Sequence, residues 1–302
     1  MEISLWAGSD IATVDEAVTR TQAALDDGFE SIWFAQTPAF DTLTALAAVA
    51  RAVPRIKIGT AVVPIQGRHP IPLALQALTV ADAAGPGRVT LGVGVTHKPA
   101  SEGWFGISYD DVVALCAEEL EALSTLLSEK RSADLTGSLL TARITLGSPA
   151  PSPGLVVAAL GSRMLGLAGR YSDGTVTWMT GTKTIGRQIV PRITRAAEQA
   201  GRAAPRVVAG LPVCVTDDVR AAREQVGAAM AGAAQMGSYK RMIAAEQVDE
   251  VVDIALIGNE DEVTGRIEAL GAAGATELLA NVLGPSEGRA RTREFLVGFS
   301  RR

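Results

Sequence analysis

Two cysteines and two histidines are all that 302 residues contain of the side chains that most often build disulfides, metal centres and proton relays. Cys116 and Cys214 lie far apart, and neither has a Cys or His neighbour at metal-ligand spacing. Neither a disulfide framework nor a metal site is expected. Apolar runs are short as well: Leu155 to Leu160, one of the longest, falls well under the roughly 20 residues that span a bilayer. No basic leader follows Met1-Glu2-Ile3, so the chain is expected to be soluble and cytoplasmic, with no membrane partner. Charge of one sign is missing too. Lys and Arg number 28 against 33 Asp and Glu, a net charge of −5, with no like-charge run long enough to track a phosphate backbone. Nucleic acid is thereby excluded as a partner. No Ser-His-Asp order, paired-carboxylate signature or P-loop is recognisable, which leaves hydrolase and kinase readings without support.

What is present is a globular balance, with 47% apolar and 20% charged residues, in a chain long enough to bury an extensive core. Short β-branched apolar runs alternate with stretches whose apolar residues recur three or four apart, the pattern of parallel βα units. Eight units can be counted. Their strands are predicted at Ile3–Ala7, Ser31–Ala35, Ile56–Val63, Arg88–Val95, Leu155–Leu160, Thr175–Met179, Arg206–Val215 and Glu277–Val282. Local signals punctuate the helices between them. Thr13 and Glu16 form a capping box, Gly28 ends the first helix, Asp41 caps the second, Pro54 closes it, and Pro70 and Pro72 open the third. The fourth follows a glycine-rich loop at 96–109 and carries Val112, Cys116, Leu120, Leu123 and Leu127 on one face. After it, residues 131–154 read as a small insertion with a hairpin. Further helices are predicted at Ser162–Tyr171 and Ile185–Gln199, then a long helical region at 217–273. The last, at 286–299, puts the arginines from Arg289 to Arg302 on a solvated face. Eight units with no antiparallel edge signal predict an α/β fold: one (β/α)8 TIM barrel over residues 1–302, rather than a doubly wound open sheet.

In such a barrel the loops at the carboxyl ends of the strands converge on one face, so the residues just past each strand are the candidates for chemistry. They are Gln36 and Thr37; Thr96, His97 and Lys98; Gly161, Ser162 and Arg163; and Thr180, Gly181 and Lys183. At Leu160-Gly161-Ser162-Arg163, the amides of a helix start, a hydroxyl and a guanidinium could hold a phosphate. An ordinary glycine turn with a serine cap is the other reading. Gly92-Val93-Gly94-Val95-Thr96-His97 lacks the third glycine and the following acid of a dinucleotide loop. Its glycines read instead as clearing space for a flat ligand or a close-packed side chain. His97 titrates in a range suited to proton transfer, with a capped surface histidine as the alternative. His69, just before Pro70, reads as a structural cap. Trp33, Trp104 and Trp178 could line a planar ligand or fill the core and rim.

Seven segments extend the pattern along nearly the whole chain, beginning with Gly28-Phe29-Glu30-Ser31-Ile32-Trp33-Phe34, Ile58-Gly59-Thr60-Ala61-Val62-Val63 and the stretch from Arg68-His69-Pro70 to Gly85-Pro86-Gly87-Arg88. Leu91-Gly92-Val93-Gly94, Ala159-Leu160-Gly161-Ser162-Arg163-Met164, Ala168-Gly169-Arg170-Tyr171-Ser172-Asp173-Gly174 and Gly258-Asn259-Glu260-Asp261-Glu262-Val263 follow in order. The ordered set resembles the bacterial-luciferase-like superfamily and, within it, the oxidoreductases that use the deazaflavin coenzyme F420. That resemblance implies a bulge at Ala61-Val62 behind the isoalloxazine-like ring, often with a cis peptide. It implies that Gly94, Val95, Thr96 and His97 pass beside the ring, that Gly161, Ser162 and Arg163 take the coenzyme phosphate, with Leu160 also among the coenzyme-binding residues, and that Thr180 and Gly181 flank the tail. Gln36, Thr37 and Trp178 fall on the substrate side, and a homodimer is implied. Related deazaflavin dehydrogenases often carry an acid-base pair where this chain has Gln36 and Thr37, and an acid where it has His97. His97 thus becomes the leading proton donor or acceptor, and reduction of an activated double bond stands beside oxidation of an alcohol.

The expectation is hydride transfer between coenzyme F420 and a small organic substrate, with the protein supplying position and protonation. The rivals are an FMN-dependent monooxygenase or reductase, a non-catalytic flavin- or deazaflavin-binding protein, and a Schiff-base enzyme using Lys57 or Lys98.

Overall fold

The computed structural model describes residues 1–8 and 10–301. From the amino terminus, β1 (Glu2–Ala7), β2 (Ser31–Phe34) and β3 (Lys57–Thr60) pair in parallel. β4 (Val63–Pro64) resumes the line of β3 after a bulge, and β5 (Val89–Gly94) lies beside both. A hairpin of β6 (Ser132–Thr136) and β7 (Thr141–Thr145) stands outside the barrel, as the insertion predicted. β8 (Gly154–Ala158), β9 (Gly174–Trp178) and β10 (Arg206–Val215) continue the ring. β11 (Leu256–Gly258) pairs with the end of β10, and β12 (Glu277–Val282) joins β10 to β1. The result is a closed parallel barrel of eight strands.

Among the described residues, twelve α-helical segments surround it: α1 (Val14–Asp27), α2 (Thr42–Ala52), α3 (Pro70–Ala84), α4 (Lys98–Trp104), α5 (Val112–Leu127), α6 (Ser162–Tyr171), α7 (Thr182–Thr184), α8 (Val190–Gln199), α9 (Val219–Ala234), α10 (Gly237–Glu246), α11 (Glu260–Ala272) and α12 (Ser286–Ser300). A π-helical turn, Ile185–Ile189, joins α7 to α8 in one continuous run. The punctuation read from sequence is in place. Thr13 and Glu16 exchange both capping-box bonds, Gly28 ends α1 at φ 102°, and Asp41 accepts the Thr44 amide at 2.9 Å. His69 caps α3 through its ring nitrogen, with Pro70 in the first turn. No helix among the described residues is long and apolar enough to cross a membrane.

Two cores follow from the alternation of side chains along the strands. One lies between strands and helices; the other, inside the barrel, holds Trp33, Val156, Val176, Val208 and Leu279. At the amino-terminal end of the barrel, Glu277 is 2% exposed, accepts from Ser4 Oγ at 2.5 Å and pairs with Arg206 at 2.7 Å. That pairing removes an otherwise costly buried charge.

Four expectations need correction. Ile56–Val63 is not one strand: Ile58 faces Val89 while Val63 faces Val93, so the extra residue bulges out around the cis Ala61-Val62 peptide. The loop at 96–109 contains α4, because the His97 carbonyl accepts the Ala100 and Ser101 amides and Pro99 sits where a missing amide costs nothing. The helical region at 217–273 is interrupted by β11, whose apolar run is too short to signal a strand. Finally, the carboxyl-terminal arginines are more than a solvated face: Arg289 and Arg301 are exposed, but several of the arginines also tie the helix to its neighbours. Arg291 pairs with Asp217 and Glu260, Arg293 with Asp27, and Arg289 donates to the Gly284 carbonyl. Arg302, the last of that predicted face, lies outside the described residues.

Candidate functional site

A cavity of about 840 Å3 opens where the strands end. Its floor is the top of the barrel interior: Trp6 and Trp178, with ring centroids 5.0 Å apart, together with Ala61, Val62, Val176 and Leu279. Gly94 to His97 form one stretch of wall, and Ala158 to Met164 another. Tyr109, Asp110, Val112 and Val113 come from the approach to α5, and Ser238, Tyr239 and Arg241 from α10.

The bulge behind this floor is built by side-chain and backbone fit. Thr60 Oγ1 donates to the Gly92 carbonyl and accepts the Gly92 amide, both at 2.8 Å. A β carbon on Gly92 would lie 1.9 Å from the Thr60 carbonyl oxygen, and one on Gly94 would lie 2.8 Å from Ala158 Cβ. Close packing thus accounts for the absence of a side chain at both glycines, and Gly94 also lines the cavity.

Most of the predicted site residues come together here. Ala61, Val62, Gly94, Val95, Thr96, His97, Leu160, Gly161, Ser162, Arg163, Gln36 and Trp178 all line the cavity. Gln36 borders it with its amide spent on its own loop, donating to the Thr37 and Phe40 carbonyls and accepting the Thr42 amide. Thr37 instead bridges to Phe40 and is not in the lining. Thr180 is fully buried and bonds back to the Trp178 carbonyl; Gly181 faces the Glu246 carboxylate. Trp33 is core and Trp104 is 69% exposed. Lys57 is exposed at the start of β3, and Lys98 pairs with Glu102 at 3.6 Å. Neither lysine lines the cavity, which removes the structural basis for Schiff-base chemistry.

Two features give the cavity its chemistry. The first is the start of α6. Gly161 is the N-cap and carries no side chain to satisfy the first-turn amides, which leaves those of Ser162, Arg163 and Met164 facing outward without helical partners. A β carbon on Gly161 would meet open space. The Ser162 hydroxyl and the Arg163 guanidinium are exposed beside these amides, and Arg163 makes no ion pair among the described residues. Amides, dipole and cation together form a seat for an anion. The second feature is His97, whose side chain makes no capping bond to α4 and points at the cavity lining. Burial holds its pKa below the usual 6.5, which favours the neutral imidazole.

Residues that the sequence reading missed also converge. Gln66 is 1% exposed; its Oε1 accepts the Thr96 amide at 2.9 Å, fixing the start of the His97 segment, while its Nε2 has no partner among the described residues. Ser238 Oγ is likewise buried and unpartnered. Burial raises the Tyr239 hydroxyl to about 12, so it is a neutral hydrogen-bond donor at physiological pH.

The luciferase-like monooxygenase family model matches residues 1–277. The chain belongs to this family. Relatives include a candidate coenzyme F420-dependent oxidoreductase of Mycobacterium tuberculosis, 26% identical over 87% of this chain and 82% of its own length. An F420-dependent hydroxymycolic acid dehydrogenase of the same organism is 29% identical over 88% of this chain and 78% of its own. Among solved structures, an F420-dependent secondary alcohol dehydrogenase bound to an F420-acetone adduct superposes with a TM-score of 0.83. It covers 100% of this chain and 99% of its own at 18% identity, a likeness of fold. Membership in this family makes the chain an enzyme of the oxidoreductase class.

Proposed function

We propose that this family member is a coenzyme F420-dependent oxidoreductase acting on a small organic substrate, in its alcohol-oxidising direction. The observation that carries the reading is the open start of α6, an anion seat on the wall of a cavity whose floor is apolar and aromatic. Such a cavity suits a flat ring with a phosphate-bearing tail. The two mycobacterial relatives named for coenzyme F420 support that ring over FMN.

When bound, the deazaflavin supplies the hydride chemistry at its ring. The chain supplies the rest. The Ser162, Arg163 and Met164 amides, with the Ser162 hydroxyl and the Arg163 guanidinium, would hold the phosphate. Ala61, Val62 and the Gly94–Thr96 segment border the space for the ring, and Leu160 closes the side next to the anion seat. His97, kept neutral by burial, accepts the proton of a substrate hydroxyl. The aromatic floor and α10 exclude water and orient the substrate beside it.

Titrating the protein with coenzyme F420 and, separately, with FMN tests the assignment. Saturable F420 binding that weakens in an Arg163→Ala variant is expected. Tight FMN binding with none of F420 would replace this reading by the flavin-dependent one, and tight F420 binding without turnover of any alcohol tried would favour a coenzyme carrier.

A further inference from the structure

Two helix starts face the same end of the barrel, and they are treated differently. The start of α6 is open, whereas that of the α7–α8 run is filled by a side chain from α10. The Glu246 carboxylate accepts the Lys183 amide at 2.9 Å, the Thr184 amide at 2.8 Å and the Thr184 hydroxyl at 2.7 Å. A negative group thus sits on the first-turn amides, where the helix concentrates its partial positive charge. Position 181 makes room for it, since a β carbon on Gly181 would lie 2.4 Å from the Glu246 carboxyl carbon.

The other end of α10 is a wall of the cavity, through Ser238, Tyr239 and Arg241. Of its ten residues Met242 and Glu246 are buried and Tyr239 packs half-buried against the core, so a buried carboxylate with three donors is the main polar attachment of this helix. Tyr239 in turn stands against the His97 imidazole.

We propose that Glu246 is a positioning residue, a latch that ties α10 to the turn after β9 and thereby places Tyr239 against His97 on the substrate side of the cavity. The idea rests on the proposed oxidoreductase reading only for what the cavity binds; the latch itself is a property of the chain. It separates two sides of one site: α10 and His97 depend on the latch, and the anion seat at α6 does not.

Hydrogen exchange and histidine titration by NMR, both without coenzyme, test it on Glu246→Ala, Glu246→Gln and Gly181→Ala. Each substitution reaches the latch differently: one removes the carboxylate, one removes its charge, and one crowds it out. Exchange across residues 237–246 should accelerate on the order of tenfold or more in Glu246→Ala and Gly181→Ala, and less in Glu246→Gln, with the barrel strands unchanged. The His97 resonance should titrate closer to 6.5 as its cover loosens. The Gly181→Ala and Glu246→Ala pair should be non-additive, because the added methyl has nothing to displace once the carboxylate is gone. Unchanged exchange in α10 overturns the latch. Faster exchange with an unmoved His97 titration reduces Glu246 to a structural anchor and overturns the positioning role. Coenzyme F420 affinity should stay within a few-fold of wild type in Glu246→Ala and Glu246→Gln. Failure of the wild-type protein to bind F420 would instead count against the proposed function and leave the latch result intact.

Discussion

The Tyr239 ring meets the His97 imidazole edge-on, with centroids 5.5 Å apart and planes at 69°. One residue comes from the loop after β5 and the other from α10, so this contact joins the barrel wall to the cover of the cavity. It is also part of the burial that disfavours the imidazolium. Tyr239→Ala should therefore raise the His97 pKa toward 6.5, whereas Tyr239→Phe, which keeps the ring, should leave it nearly unchanged. Proton NMR of the two histidines reads this directly, with His69→Gln assigning the second resonance.

At the anion seat, the double replacement Ser162→Ala and Arg163→Ala removes a hydroxyl and a cation but leaves the amides. Losing the charged contact costs on the order of 1 to 3 kcal/mol, so coenzyme affinity should fall about 5- to 150-fold. Both side chains are exposed and make no side-chain hydrogen bond or ion pair among the described residues, so the melting temperature should barely move. Unchanged affinity would remove the seat from the site.

The order and number of the βα units, the caps at Thr13, Asp41 and His69, and the hairpin insertion were all legible in the sequence, because each rests on local periodicity or on one side chain meeting nearby amides. The strand-end rule likewise brought most of the cavity wall into view, from Gly94 to His97 and from Leu160 to Arg163. What it missed is what no local pattern encodes. Gln66 lies just past the bulge in a segment with no motif of its own, and its partner Thr96 is thirty residues away. Tyr239 and Arg241 reach the cavity only because α10 folds over the barrel mouth, a placement set by Glu246 meeting Lys183 and Thr184 across more than sixty residues. That the missing side chain of Gly181 accommodates Glu246 is visible only in the tertiary structure.

The bulge should be as intolerant as it is specific. Gly92→Ala would drive a methyl to 1.9 Å from the Thr60 carbonyl oxygen, inside a pair of hydrogen bonds that backbone shifts would break. Overpacking of this kind typically costs about 1 to 3 kcal/mol. Urea unfolding should show a loss of at least that size, and an unaffected midpoint would mean that the bulge is not held by the Thr60–Gly92 fit.

Glu119, on α5, is 3% exposed, has an oxygen with no hydrogen-bond partner among the described residues, and is pushed by burial up to about 8. It therefore keeps in the folded state a proton that the unfolded chain releases near pH 4.5. Stability from this group is complete below that pH and is lost progressively as pH rises through about 8. The loss should amount to a few kcal/mol, on the order of 1.4 kcal/mol per unit of separation between the two pKa values. Glu119→Gln should flatten the fall in melting temperature between pH 5 and 8 and be the more stable protein at the alkaline end. Parallel curves for the two proteins would count against a buried, protonated Glu119.

In the proposed chemistry the neutral His97 imidazole accepts the substrate proton as hydride leaves. A general base contributes about 100- to 10,000-fold, so His97→Ala should lower the single-turnover rate by that order while coenzyme affinity changes little. The pH dependence has a definite sign. Because burial holds the pKa below 6.5, the wild-type rate should be level at neutral pH and fall as pH drops through that lowered pKa, where the imidazole gains its proton and can no longer accept one. His97→Gln keeps a hydrogen bond but cannot titrate, and it should lose both the rate and the acid limb. If the ring only bonds the substrate or the coenzyme, Gln should restore most of what Ala loses. A Gln variant with a near-native rate and the native acid limb would place the titrating group elsewhere, and the α10 side of the cavity, with Tyr239 as its neutral hydroxyl, would be the next position to test.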